Sequence, residues 1–208
     1  IADVIAIPED ADGHLDLNIL RQRLEEFSNR PLLIGSFSAA SNVTGIVTDT
    51  HAISTLLHEH SALAFWDYAA CGPYVDIDMN PRCVEHPLSY KDAVFLSPHK
   101  FVGGPGTPGV LLVRRELVTN TVPDSVGGGT VAYVNPTQHL YLTDPEHREE
   151  AGTPAIVESI RAGLVFDLKD AVGVDVIQAR EEDFVRRAID SWSTNPTIEV
   201  LGNTDAQR

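Results

Sequence analysis

Two apolar runs in this sequence end in groups that could do chemistry. Ala62-Leu63-Ala64-Phe65-Trp66 closes on Asp67, and Ala93-Val94-Phe95-Leu96 runs into Ser97-Pro98-His99-Lys100. Each run has the length and composition of a buried strand. Parallel α/β sheets place their ligand sites beyond the carboxyl ends of the strands, so a polar residue directly after such a run is a functional candidate. If the two strands lie parallel, a carboxylate and an amine share one rim, with Ser97 and His99 beside them. Taken singly, Asp67 reads as a strand-end cap and Lys100 as a solvated loop lysine. Together they fit something more specific.

That pairing suits pyridoxal phosphate (PLP). Its aldehyde needs a lysine amine for a Schiff base, and its ring nitrogen needs an anionic partner to stay protonated and draw electrons. An opposite charge in contact typically shifts a pKa by about 1–3 units, so Asp67 could favour the protonated ring by about 1.4–4 kcal/mol.

The elements that must hold these residues alternate. Asp16 caps an expected helix with Leu17, Leu20, Leu24 and Phe27 at helical spacing, ending before Asn29-Arg30-Pro31. Leu32 to Phe37 reads as a strand, and Thr48 or Asp49 starts a second helix with Ile53, Leu56, Leu57 and His60 on one side. After a proline-marked loop come the Ala93 strand and another at Val110 to Val113. Thr153-Pro154 is expected to open a helix carrying Ile156, Ile160, Leu164 and Leu168, with proline at the first helical position. Beyond Gly173 a helix from Gln178 to about Asp190 and a strand from Thr197 to Leu201 are expected. Strand and helix in alternation predict an α/β sheet. Because Gly152-Thr153-Pro154 precedes a helix, its N–H groups could meet a phosphate.

Ser41-Asn42-Val43-Thr44-Gly45, Asp67, Ser97-Pro98-His99-Lys100, Gly127-Gly128-Gly129 and Glu150-Ala151-Gly152-Thr153-Pro154 occur in that order. In this the chain resembles the class V aminotransferase and cysteine desulfurase family of PLP enzymes, which includes selenocysteine lyases. The resemblance implies an α/β, PLP-dependent transferase-like large domain of the aspartate aminotransferase type I, three-layered with a mainly parallel sheet and incomplete at both ends. Residues 1–172 would be the central part of that domain and 173–208 the start of a carboxyl-terminal small domain. It further implies that Lys100 forms the internal Schiff base, Asp67 pairs with the ring nitrogen, and Ser97 and His99 hold the phosphate. Asn42 would approach the substrate carboxylate or the ring hydroxyl. Thr153 would reach the phosphate of a neighbouring subunit, which implies a homodimer. Many desulfurases have glutamine three residues after the ring-binding Asp, where this chain has Ala70. Neither Cys71 nor Cys83 can be equated with the persulfide-forming cysteine of that family.

Three readings follow: a PLP lyase acting on cysteine or selenocysteine, a PLP enzyme that transaminates or epimerises another amino substrate, and a non-catalytic interaction module on the same fold. With its only methionine at Met79 and an opening at Ile1 in mid-pattern, the sequence reads as a segment of a longer protein, inactive by itself.

Composition narrows the partners. Thirty acidic residues against 15 basic ones give a formal charge of -15, which repels nucleic acid and anionic membrane surfaces. Two cysteines make no disulfide framework and no zinc site, and no apolar run reaches membrane-spanning length. A small amino acid, the cofactor and a second copy in the cytoplasm are the expected company. Gly104-Pro-Gly106-Thr-Pro-Gly109 matches the dinucleotide-binding pattern in letters, but prolines at 105 and 108 obstruct the helix that motif must open. His51 and His58 stand two helical turns apart, too far to share one ion, and read as surface or partly buried side chains.

Overall fold

A computed structural model describes residues 2–201 and 203–205. Its centre is a four-stranded sheet in the order β1 (Ile34–Ser38), β2 (Leu63–Asp67), β3 (Ala93–Leu96), β4 (Val110–Val113). The first three strands are parallel and β4 is antiparallel to β3. The expected α/β architecture with a mainly parallel sheet is present.

Two capped helices line one face. In α1 (Leu17–Glu26) the Asp16 carboxylate accepts hydrogen bonds from the amides of Asn18 and Ile19, and in α2 (Thr50–Glu59) Asp49 does the same for His51 and Ala52. Each cap satisfies donors that the first helical turn leaves without partners. Leu20, Leu24, Ile53, Leu56 and Leu57 pack with Ala64, Trp66, Val94 and Leu96 in the core. Trp66 is fully buried and its indole N–H donates to Ser54 Oγ at 2.8 Å, so α2 grips the strand one residue before Asp67. Gly35 lets α2 come this close, since a Cβ there would meet the Leu57 methyls at 2.4 and 2.6 Å.

Strand register puts Ser36, Phe65 and Ala93 on the opposite face, with Ser38, Asp67, Phe95 and Leu111 in the next row. That face is open among the described residues, where Phe95 is 39% and Leu111 54% exposed. Of the three layers expected, these residues therefore build the sheet and the α1–α2 layer.

At the amino ends of β2 and β3 lies a buried polar knot. Asp92 Oδ2 accepts from the Ala64 amide at 2.7 Å and lies 2.9 Å from His58 Nε2, while His58 Nδ1 lies 2.6 Å from the Leu88 carbonyl. Tyr90 stacks on His58 at 3.9 Å, and the Arg114 guanidinium sits 4.5 Å from the Tyr90 ring centre. His58, partly buried as one of the two sequence readings had it, joins α2 to the β2–β3 connection.

Beyond β4 come a two-stranded antiparallel ribbon, β5 (Val131–Val134) and β6 (His139–Tyr141), then α3 (Pro145–Glu149), α4 (Ile156–Val172) and α5 (Val174–Ser193). Gly173, at φ 85°, breaks the chain between the last two helices. Three expectations need correction. α4 begins at Ile156, so Pro154 precedes the helix and does not occupy its first position. α5 is longer than the helix expected from Gln178 to Asp190. Thr197 to Leu201 forms no strand. The i, i+4 stripe of Ile156, Ile160, Leu164 and Leu168 faces outward, whereas Ala162 and Val165 are the buried side of α4. No helix among the described residues is long and apolar enough to cross a membrane.

Candidate active site

The carboxyl ends of three adjacent parallel strands deliver most of the candidate residues to one edge. β1 leads into the turn containing Asn42. There Ser41 Oγ accepts from the Val43 and Thr44 amides, each at 3.2 Å, and Gly45 at φ 74° turns the chain back so that Ile46 O accepts from the Ser41 amide. Asn42 and Val43 are exposed at the tip. β2 ends on Asp67, whose carbonyl accepts from the Ala39 amide at 2.8 Å and thereby ties its end to that of β1.

Asp67 is the in-register neighbour of Phe95 on β3, and the Tyr68 amide donates to the Phe95 carbonyl at 2.9 Å. Two residues beyond Phe95 comes Ser97, the N-cap of a 3-10 turn at Pro98–Lys100. Proline suits this turn because it fixes φ and needs no amide partner at the first position. His99 and Lys100 are exposed on it. The following loop folds back tightly, with the Phe101 amide donating to Pro98 O and the Gly104 amide to Phe101 O. It does not open a helix but leads directly into β4, as the prolines require.

What these side chains do not do is informative. Asp67 Oδ1 accepts from the Ala69 amide at 2.7 Å and Oδ2 has no donor among the described residues. Ser97 makes no capping hydrogen bond, and the side chains of Asn42, His99, Lys100 and Thr153 have no hydrogen-bond partner among the described residues. A carboxylate, an amine, a hydroxyl, an amide and an imidazole are thus set along one edge with their hydrogen-bonding capacity unused. A cofactor offering an aldehyde, a ring nitrogen and a phosphate fits that donor set.

Thr153 stands apart. It is exposed, in the extended segment before α4, and no hydrogen bond joins it to Asp67 or Lys100 among the described residues. Its segment is held by the triple glycine: the Gly152 amide donates to Gly128 O at 2.8 Å, and a Cβ on Gly127 would meet that of Ala151 at 3.2 Å. A cleft of about 710 Å³ opens beside Ser41, Gly45, Ala70 and Cys71, and none of Asp67, Ser97, His99 and Lys100 lines it. The candidate edge is therefore open, not enclosed.

Both thiols are free, and Cys71 is buried. Burial pushes the Cys71 thiol up to about 11, so it is protonated and a poor nucleophile at neutral pH. Sequence reasoning missed Lys169 altogether. It reaches from α4 to donate to the carbonyls of Gly72 and Val75, at 2.9 and 2.5 Å, just beyond Asp67. Arg148 was also unforeseen. It is buried beside the Thr153 segment, with Nε on Glu149 Oε1 at 3.0 Å and Nη2 without a partner. Nothing in the spacing of either residue signals such contacts.

A mainly parallel sheet here carries a lysine and a carboxylate beyond adjacent carboxyl strand ends, the region where α/β proteins hold their ligands. The family model for class V aminotransferases matches residues 2–208, and the chain belongs to that family. It is 32% identical over 205 residues to the cysteine desulfurase of Dickeya dadantii, covering 97% of this chain and 46% of that one. A probable cysteine desulfurase of Mycobacterium leprae is 30% identical over 191 residues, covering 92% and 42%. Among solved structures, the apo cysteine desulfurase from Thermococcus onnurineus superposes with a TM-score of 0.76 at 22% identity, covering 97% of this chain and 47% of that chain. The chain spans less than half the length of the curated relatives it matches.

Proposed function

We propose that the intact protein is a PLP-dependent enzyme acting on an amino acid, with desulfuration of cysteine or the equivalent lysis of selenocysteine as its reaction. The observation that carries this reading is the pairing of Asp67 and Lys100 on adjacent parallel strand ends, both with unused hydrogen-bonding capacity, in a chain of this family. The names of the relatives favour the desulfurase class within it.

When bound, PLP supplies an electron-withdrawing ring. Lys100 would hold it covalently through its amine and would carry protons at the same nitrogen during turnover. Asp67, on the end of β2, keeps the proton on the ring nitrogen by charge. Ser97 and His99 hold the phosphate from the turn that carries Lys100. Asn42, at the tip of the β1 loop, donates to the substrate carboxylate or the ring hydroxyl. Thr153, in the exposed segment before α4, serves the phosphate of a second subunit as the family resemblance implies, and the working form is a homodimer. Residues 1–172 form the central part of the cofactor-binding domain and 173–208 begin a second one, in a protein working in the cytoplasm. Ala70, where many desulfurases have glutamine, favours a second reading: transamination or epimerisation of another amino substrate.

The test is borohydride reduction of the intact protein with PLP, followed by peptide mapping. Label on Lys100 is expected. Label on Lys91, which is buried with its amine on the Asp78 carbonyl, or on Lys169, with Lys100 unmodified, would overturn the assignment. A panel of cysteine, selenocysteine and alanine then separates the two reactions.

A further inference from the structure

α4 touches both of the segments that carry the proposed chemistry. On the Asp67 side, residues 68–75 fold into consecutive turns, with the Gly72 amide donating to Tyr68 O and the amides of Tyr74 and Val75 to Cys71 O. The carbonyls of Gly72 and Val75 in those turns both accept hydrogen bonds from the Lys169 amine. On the Lys100 side, the same amine lies 5.9 Å from the centre of the Phe101 ring. Phe101 directly follows Lys100, is buried, and meets the edge of Phe166, less than one turn before Lys169, at 4.9 Å.

The two segments also touch each other. A Cβ on Gly72 would stand 2.8 Å from Tyr68 O and 3.4 Å from the Phe101 ring, so the turn after Asp67 rests on the residue after Lys100. Further along α4, Arg161 donates to Pro105 O at 2.7 Å and Val165 packs near Gly103. One face of the helix, Arg161, Val165, Phe166 and Lys169, therefore spans both segments. Lys169 alone bonds one of them while its charge faces an aromatic ring of the other.

We propose that Lys169 is a positioning residue that fixes the Asp67 segment relative to the Lys100 segment, and so sets where ring nitrogen and aldehyde can be held at once. The inference rests on the reading of Asp67 and Lys100 as the cofactor's anchors. A cationic amine does this well because two carbonyl oxygens and an aromatic face all attract positive charge, and hydrogen bonds from charged donors are the stronger kind. Partial burial pushes the amine's pKa down. Leaving two carbonyls without a donor should loosen the turns locally while the core stays intact.

The experiment compares Lys169→Met, Lys169→Gln and Lys169→Arg in the intact, PLP-loaded protein. Methionine keeps the apolar stem and removes the donors, glutamine keeps one weaker donor group, and arginine keeps charge and donors. Amide hydrogen exchange should speed up about tenfold or more in both 68–76 and 98–106 of the Met variant, with β1 and α2 unchanged, in line with local opening. The pH profile of the cofactor's visible absorbance should shift with it. Arginine should restore both readouts, and glutamine should fall between. Exchange that rises throughout the chain, rises in one segment only, or is not restored by arginine would overturn the proposal. If the Met variant fails to fold, wild-type exchange in the Gln variant would do the same. Failure of borohydride to mark Lys100 in the wild type sinks the cofactor reading, while the exchange data still decide whether the two segments are braced.

Discussion

Replacing Gly104 by alanine probes whether the turn bearing Lys100 is as rigid as its hydrogen bonds suggest. A Cβ at this position would lie 1.9 Å from the Pro98 carbonyl oxygen and 3.0 Å from the Phe101 carbonyl oxygen. Both obstacles are backbone atoms, so no side-chain rotation relieves the contact. Real Cβ atoms essentially never approach closer than 3.0 Å, so the separation from Pro98 O must grow by about 1 Å. Pro98, His99 and Lys100 form the turn that would have to yield, and Thr107 Oγ1 on Gly104 O at 2.7 Å holds the other side. Overpacking of this kind costs about 1–3 kcal/mol, only partly offset by the roughly 0.4–1 kcal/mol that alanine gains by restricting the unfolded chain. A displacement of about 1 Å in a catalytic group can lower a rate about 100-fold. Urea unfolding followed by tryptophan fluorescence should show the loss of stability, and steady-state turnover of the intact protein the loss of rate. A variant that unfolds with the wild type and turns over at its rate would show that the loop rearranges freely, and the positioning argument for Lys100 would fall.

Asp67→Asn should retain the fold and covalent cofactor attachment but slow turnover sharply, because the amide cannot hold the ring-nitrogen proton by charge; wild-type turnover would reduce Asp67 to a strand end. Asp92→Ala should destabilise the protein by about 3–5 kcal/mol in urea titrations, since it leaves His58 and the Ala64 amide buried without their partner, and a change under about 1 kcal/mol would mean that water replaces the carboxylate. Cys71 is pushed from 9.0 up to about 11 by burial, so the folded state keeps a proton that the unfolded chain releases, and stability should fall as pH rises through that window. Cys71→Ala should flatten part of the decline, leaving the part due to Tyr68, which burial pushes to about 12; an unchanged slope would assign the effect elsewhere.

Strands β2, β3 and β4 were legible because each is a short apolar run bounded by polar or turn residues, and their polar ends put forward Asp67 and Ser97 to Lys100 as candidates. Helix starts at Asp16 and Asp49 were legible from side-chain capping chemistry, which acts within three residues. The start of α4 was misjudged because Thr153-Pro154 has the local pattern of a cap and first turn, while a long-range bond from the Gly152 amide to Gly128 O holds the segment extended. The β5–β6 ribbon was overlooked, although Asn135-Pro136 between two β-prone runs is a turn signal and Asn135 Oδ1 accepts from the amides of Thr137 and Gln138. The expected strand at Thr197 had β-prone residues but no neighbouring strand to pair with. Contacts such as Lys169 on Gly72 join residues 97 apart in sequence and obey no period, so only the folded chain reveals them.

The buried knot of His58, Tyr90, Asp92 and Arg114 lies at the opposite end of the strands from Asp67 and Lys100. Part of what fixes β2 and β3 therefore lies away from the proposed cofactor edge. On the proposed reading, positions along the carboxyl edge such as Ala70 can vary without touching that knot. In such a molecule new chemistry and lost stability need not be inherited together, and a lineage could explore many substrates on the same sheet before its fold was at risk.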